Sequence, residues 1–499
     1  MMKVVKDLDQ EKTEMDNKGQ ETSDSPSNYI KIKKFRFVML LFFIVFITAG
    51  ITTFALAFGD EKAVNVGTER PEFSKLYSAY DTLKEMYFKS VDEEELINGA
   101  INGMVEALDD PYSDYMNEEE AKNFNESISS SFEGIGAEIQ ELDGNIVIVS
   151  PLKGSPAEKA GLQPNDIVLS VDGKSLQGLS STEAVTLIRG EKGTEVNIVV
   201  QRPGMGEPMD ISIIRDTIPL ETVYGKMRED GIANIQITSF SENTAKELVD
   251  KLNELQKQGM KGLVLDLRQN PGGLLDQAIK ISSLFVPKGE ILFQIEDRNG
   301  DKEVVKSTHE NGPNIPLVVV IDKGSASASE ILAAAVKESA DVPLVGEKSF
   351  GKGTVQRAQN FKDGSNIKFT TEKWLTPDGN WIHEKGIVPD YEVQLPPYAS
   401  LPFINPDLEL SRSASSAQVK AAQQMLAAIG YQPGREDGFF DEGTEKAVIA
   451  FQEAEGLEAT GILSGQSTLR LMEKLREQLE NNDPQIQKAV EVLKQQLNS

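Results

Sequence analysis

The stretch Gly324–Gln356 limits what this chain can fold into more than any other. It opens as G-S-A-S-A-S-E-I-L-A-A-A, a turn of small residues and hydroxyls running into an alanine-rich helix. It closes as V-G-E-K-S-F-G-K-G-T-V-Q, an apolar run followed by a lysine held between Gly351 and Gly353. The apolar run Leu317–Ile321 leads into the serine turn as a buried-type strand. Upstream, Gly262–Arg268 is a second such strand, followed by Asn270-Pro271-Gly272-Gly273 and an apolar helix from Leu274. Gly231–Ile237 reads as a further strand and Asn243–Gln258 as a helix. Strands alternating with helices specify an α/β core. Glycine-rich turns at strand ends that feed helices are where open α/β sheets place their sites.

The residue types in this stretch point to nucleophilic chemistry. Free N–H groups and aligned dipoles at a helix N-terminus favour developing negative charge beside the serines. A serine nucleophile needs a base, and a desolvated lysine can serve. Ser325, Ser327 and Ser329 are all candidates by chemistry, because alternate residues of a turning segment point alike. Lys352 is the candidate base; to act, it must lose its charge through burial. Gln356, four residues on, would share a strand face with Lys352, where its amide can orient the amine. Taken alone, the serine cluster also reads as an N-cap; the lysine turn and the N-P-G-G turn weigh against so plain a role.

Composition removes the other chemistries. The chain has 499 residues, enough for roughly three domains. With no cysteine, thiol catalysis, disulfides and cysteine-held metals are excluded. Its two histidines, His309 and His383, are too few for a His-rich metal site, and His383 follows Trp381-Ile382 in an expected strand, where it is structural. No metal or other cofactor is expected. A net charge of −28 argues against a nucleic-acid partner. Gly346-x4-Gly351-Lys352 is nearly a P-loop, but Gly353 stands where magnesium needs Ser or Thr. Ser349-Phe350-Gly351-Lys352 matches S-x-x-K, but the two glycines argue against the helix that motif sits on.

Around the core, further segments follow. Residues 1–34 read as a polar cytoplasmic tail and 35–59 as a transmembrane anchor. The uncharged run 37–58 is about the ~20 residues a span requires, and its basic flank belongs inside. A signal peptide cleaved near Ala55-Leu56-Ala57 is the alternative, and the length of the run favours the anchor. Everything after Gly59 is then extracytoplasmic. Residues 70–128 have helical apolar spacing and read as an arm, either a cap on the body or a homodimer contact.

From 129 to 205 the pattern switches to period two. G-S-P-A-E-K-A-G-L-Q-P-N-D-I-V-L-S-V-D-G and the helix Ser181–Ile188 resemble a bacterial-type PDZ domain. That resemblance places a carboxylate-binding loop at Gly134-Ile135-Gly136-Ala137, where successive N–H groups hold a peptide C-terminus. Arg189, after the helix, is a candidate charge partner for the peptide. D-L-R-Q-N-P-G-G, G-S-A-S-A-S-E-I and F-G-K-G-T-V-Q, in this order after the PDZ-like stretch, resemble the carboxyl-terminal processing (tail-specific) peptidases. The family pattern implies Ser327 as nucleophile, Lys352 as base and Gln356 as the residue that positions the lysine. It also implies an oxyanion hole of the Ala328 and Gly273 N–H groups.

The core would then be 206–395, followed by a linker at 396–414. D-G-F-F, T-E-K-A-V-I-A-F-Q and G-L over 415–476 resemble a three-helix peptidoglycan-binding module, and a last helix fills 477–499. The expected whole is multidomain: anchor, helical arm, PDZ-like β domain, α/β protease core and all-α C-terminal module. Its implied partners are proteins with exposed C-terminal tails and the wall glycan. The competing class is an inactive, wall-attached PDZ scaffold.

Overall fold

The structure, a computed structural model, describes Met39 and residues 70–142, 144–308 and 315–498. The expected tail, all of the expected anchor except Met39, and His309 lie outside the described residues. Among the described residues no helix is long and apolar enough to cross a membrane.

The chain divides into two units, the first ending at Leu96 and the second covering Ile97–Ser499. In the first, a short 3-10 turn at Pro71–Phe73 leads into the helix Ser74–Met86. Tyr80 Oη donates to Glu93 Oε2 at 2.6 Å, and Lys84 pairs with the same carboxylate at 2.7 Å.

In the second unit, alternating apolar residues build an antiparallel sheet. Its strands run in the order Ala137–Leu142, Asn145–Pro151, Ile167–Val171, Glu195–Gln201, Met209–Ile214. The last strand lies beyond residue 205. It pairs Ile213 with Val196 and Ile211 with Ile198, because its period-two pattern turns Ile211 and Ile213 into the core. The helices Pro156–Lys159 and Ser181–Ile188 both begin at serines, Ser155 and Ser180, whose hydroxyls accept an N–H of the first turn.

The α/β core is a six-stranded sheet in the order Val223–Met227, Ile232–Ile237, Gly262–Asp266, Leu317–Ile321, Leu344–Gly346, Tyr391–Glu392. The first pair is antiparallel and the rest are parallel. Gly262–Asp266 and Leu317–Ile321 are buried along their whole length, as continuous apolar runs should be when both faces are covered. The helices Thr244–Lys257, Leu275–Phe285 and Ala328–Ala340 cover one face, packing on Ile235, Leu263, Leu265, Val319 and Ile321. The other face, with Ile232, Val264, Val318, Val320 and Val345, is covered by the C-terminal helix Pro484–Asn498 through Ile486, Ala489, Val490 and Leu493. That helix was legible in the sequence from Asp483-Pro484, and Asp483 accepts the Gln485 and Ile486 N–H groups, but its place on the six-stranded sheet was not.

A second, antiparallel sheet carries the lysine loop. Thr354–Asn360 pairs with Asn366–Leu375, which also pairs with Ile291–Glu296 and with the short strand Asp114–Met116. That short strand falls inside the expected helical arm, so the chain after the helix Glu93–Glu106 joins the core sheet before the helix Glu118–Ser129 begins. Three residues are too few for a period-two signal. Trp381, Ile382 and His383, expected in a strand, lie outside any strand, and His383 opens a turn over 383–385.

The C-terminal helices Ala417–Ala428, Glu442–Ala454 and Gly465–Asn481 enclose Val419, Leu426, Phe440, Phe451 and Leu471. The stretch 396–414, expected as a linker, contributes to this core. Ile404 and Leu410 are buried in it, and Leu410 bridges to Leu463.

Candidate active site

The site is built where two parallel strands end. Gly262–Asp266 feeds the turn Gln269–Gly273, and Leu317–Ile321 feeds the serine turn. Asn270 ties the two together. Its Nδ2 donates to Ile237 O at 2.8 Å, its Oδ1 accepts the Gly272 N–H at 2.9 Å, and its carbonyl accepts the Ala326 N–H and the Ser329 hydroxyl. Asp322 adds a second tie, accepting the N–H groups of Gln269 and Gly324 at 2.9 Å each. Gly272 lies so close that a Cβ on it would sit 2.7 Å from Ala326 O and 2.9 Å from both Ala328 N and Ser327 Cβ. Glycine is required there, at φ +101°, for the two turns to touch.

This packing separates the three serines that chemistry alone left equal. Ser325 is wholly buried, and its hydroxyl donates to Leu267 O at 2.8 Å. Ser329 is wholly buried and spends its hydroxyl on Asn270 O. Ser327 is half-buried, and its Oγ donates to no group among the described residues. It stands immediately before the helix Ala328–Ala340 at φ +53°, ψ −111°. A non-glycine residue in that region is strained and persists only when its surroundings over-determine it. Two N–H groups beside it, those of Ala328 and Gly273, enter no hydrogen bond among the described residues. Gly273 is fixed by the neighbouring bonds Phe240 N–H to Gly272 O (2.9 Å) and Leu274 N–H to Phe240 O (2.7 Å). The residues expected to form an oxyanion hole therefore flank Ser327 with free donors.

Glu330 joins the serine turn to the lysine loop, and the sequence reading missed it. Its carboxylate is fully buried. Oε2 accepts the N–H of Ser327 at 2.9 Å and of Lys352 at 2.8 Å; Oε1 accepts the Gly351 N–H at 2.7 Å and the Ser349 hydroxyl at 2.5 Å. One side chain thus holds the backbone of both candidate catalytic residues. The available signal was the spacing: an acid three residues after a serine at a helix start reads as a capping box.

Lys352 is largely enclosed. Desolvation, helped by the charge of Lys368, holds its amine below the ordinary lysine range against the opposing pull of Asp110 and Glu330. Among the described residues its amine hydrogen-bonds neither Ser327 nor Gln356. It lies over the ring of Tyr112, 4.7 Å from the centroid. Gln356 donates to Thr354 Oγ1 at 3.0 Å and Thr370 Oγ1 at 3.1 Å. The same-face argument does not apply here, because Lys352 precedes the strand Thr354–Asn360 and a bulge falls between Val355 and Gln356. Gly353 fits against Trp381 and His383. Its N–H donates to His383 Nδ1 at 3.3 Å, and the His383 ring stacks on Trp381 at 5.1 Å. His383 is therefore a wall of the lysine loop.

In the PDZ-like part, Ile135 is buried in the core and its carbonyl accepts the Ala157 N–H at 2.8 Å. The Gly136 carbonyl accepts the Leu152 N–H at 2.9 Å, and its φ of +73° with Ser155 Cβ 2.6 Å from a built Cβ again requires glycine. The N–H groups of Ile135 and Gly136 donate to nothing among the described residues, which suits a carboxylate cradle; Ala137 opens the adjoining strand. Arg189 pairs with Glu126 at 3.2 Å and covers the Phe132 ring at 4.6 Å. It links the helix Ser181–Ile188 to the helix Glu118–Ser129, within reach of the loop but turned to a protein carboxylate. Among the described residues no group of acids and histidines is arranged to hold a metal ion.

Comparison with known proteins matches four segments to described families. "Peptidase family S41" covers residues 231–393, "PDZ domain" 147–202, "Putative peptidoglycan binding domain" 415–472 and "Activating protease CtpB N-terminal domain" 55–120. The chain is 50% identical over 462 residues to "Carboxy-terminal processing protease CtpA" of Bacillus subtilis (strain 168), spanning 92% of this chain and 99% of that protein. It is 46% identical to "Carboxy-terminal processing protease CtpB" of the same organism, over 84% of this chain and 88% of that one. A "Probable CtpA-like serine protease" of Staphylococcus aureus (strain COL) is 37% identical over 97% of this chain and 98% of its own.

Proposed function

This chain belongs to peptidase family S41, the carboxy-terminal processing serine proteases, and from that premise we propose that it is a Ser–Lys endopeptidase acting on extracytoplasmic proteins with exposed C-terminal tails. A single observation carries the reading. Of three serines on one turn, only Ser327 has a hydroxyl that donates to no group among the described residues, and its N–H shares the Glu330 carboxylate with that of Lys352, whose charge is disfavoured by burial.

The steps follow from those groups. The Ile135–Gly136 loop takes up the tail carboxylate, and the chain adds to the edge of the PDZ sheet. Neutral Lys352 accepts the Ser327 proton as Oγ bonds to the scissile carbonyl carbon. The carbonyl oxygen becomes an oxyanion and is met by the Gly273 and Ala328 N–H groups, aided by the helix N-terminus. The C–N bond breaks, the amine leaves with the proton held by Lys352, and an ester on Ser327 remains. Water, deprotonated by the same amine, hydrolyses that ester and restores the hydroxyl. Lys352 must leave the Tyr112 ring to take the Ser327 proton. Gln356 is suited to receive it once its amide leaves Thr354.

The test is hydrolysis of a fluorogenic peptide by the wild type, Ser327→Ala and Lys352→Ala proteins. The reading expects folded variants without turnover. Cleavage that persists in Ser327→Ala refutes the nucleophile, and cleavage that persists in Lys352→Ala refutes the base. A wild type that binds C-terminal peptides yet cleaves none would instead be a scaffold, the role favoured by an amine that in this structure bonds neither partner.

A further inference from the structure

The turn Asp110–Ser113 lies far from the peptidase motifs in sequence, yet it supplies the surface on which the candidate base rests. Tyr112 presents its ring face to the Lys352 amine at 4.7 Å, and it is the group the structure places against that cation. The turn is built for rigidity. Asp110 accepts the Tyr112 N–H at 3.1 Å and the Ser113 hydroxyl at 2.6 Å, and Ser113 Oγ accepts the Thr370 N–H at 3.1 Å, fastening the turn to the strand Asn366–Leu375. The Tyr112 and His383 rings meet at a steep angle with centroids 6.0 Å apart, and His383 accepts the Gly353 N–H of the lysine loop. The charged groups that act on the amine are Lys368, Asp110 and Glu330, and among the described residues neither carboxylate makes an ion pair with it.

Resting on the Ser–Lys reading, we propose that Tyr112 is a positioning residue for the base, its aromatic face seating the Lys352 ammonium and releasing the amine when the proton leaves. A directly paired carboxylate would also hold the ammonium, but it typically shifts a partner by one to three pH units and would keep the lysine charged where the enzyme must work. An aromatic face attracts the cation by less, equivalent to about half a pH unit to one and a half. It has little affinity for the neutral amine. The ring therefore fixes the resting position of the amine without fixing its charge.

The test reads the lysine itself. In the full chain carrying Ser327→Ala, the titration of Lys352 is followed by NMR of isotope-labelled lysine side chains, assigned with Lys352→Ala. Tyr112→Phe keeps the ring and should titrate within about 0.3 pH units of the parent. Tyr112→Leu keeps an apolar surface but removes the ring face, so it should titrate lower by about half to one and a half units. In chains that keep Ser327, the rising limb of the kcat/KM–pH profile should move the same way in Tyr112→Leu and stay in Tyr112→Phe. If circular dichroism shows Tyr112→Leu unfolded, Tyr112→Trp replaces it, with the shift expected upward because indole holds cations best. An unmoved titration in the leucine or tryptophan protein overturns the seat, as does a phenylalanine protein that behaves like the leucine one. Hydrolysis surviving Ser327→Ala would remove the dyad and leave the titration readable, so the two failures are distinct.

Discussion

Glu330→Gln replaces one acceptor oxygen with an NH2 group at a place where every neighbour is a donor. Four donors converge on the carboxylate: the N–H groups of Ser327, Gly351 and Lys352 and the Ser349 hydroxyl, two on each oxygen. Whichever way the amide turns, its NH2 faces at least one backbone N–H that cannot accept, while the Ser349 hydroxyl can turn to do so. One or two charge-assisted hydrogen bonds are lost, each worth about 1.5–3 kcal/mol, for a gross loss of up to about 6 kcal/mol. Removing a buried charge returns part of that, so the net destabilisation should be up to about 4 kcal/mol. The lost bonds hold the serine turn and the lysine loop in register, and displacement of catalytic groups by about 1 Å lowers turnover by on the order of a hundredfold. Chemical denaturation and fluorogenic peptide hydrolysis, run on the same preparation, read the two effects. A Glu330→Gln protein with unchanged midpoint and unchanged kcat/KM would refute the reading that one buried carboxylate sets the geometry of both candidate catalytic residues.

Two further predictions concern the candidate base and the C-terminal helix. Because burial depresses the Lys352 pKa, the folded state binds fewer protons there than the unfolded chain between the depressed value and the ordinary 10.5, so stability rises with pH across that window. Lys352→Met should therefore be more stable than wild type below the window, with the advantage shrinking as pH climbs towards 10.5; a pH-independent difference in denaturation midpoint would contradict it. Deleting residues after Asn482 should uncover Ile232, Val264, Val318, Val320 and Val345 and leave Arg268, which pairs with Asp483 at 2.7 Å, without that partner. The truncated chain should aggregate or melt markedly lower, whereas a monodisperse product of unchanged stability would show that the helix is dispensable.

What the sequence determined is local and chemical. Apolar runs bounded by glycine turns specify the parallel strands Gly262–Asp266 and Leu317–Ile321, because only buried strands tolerate such runs. The resemblance to the family pattern, and not spacing, implies Ser327 and Lys352 as the catalytic pair. The choice among Ser325, Ser327 and Ser329 on physical grounds came only from packing, since three chemically equal hydroxyls differ solely in which carbonyls lie within reach. Glu330, Tyr112 and the sheet-covering face of Pro484–Asn498 were likewise decided in three dimensions. A side chain announces its own preferences along the chain, but the partner that gives it a role stands 22 residues away for Glu330 and Lys352, or 217 for Arg268 and Gln485. Periodicity reaches only the neighbours on one element; contacts at those separations exist because the tertiary fold brings the strand ends together.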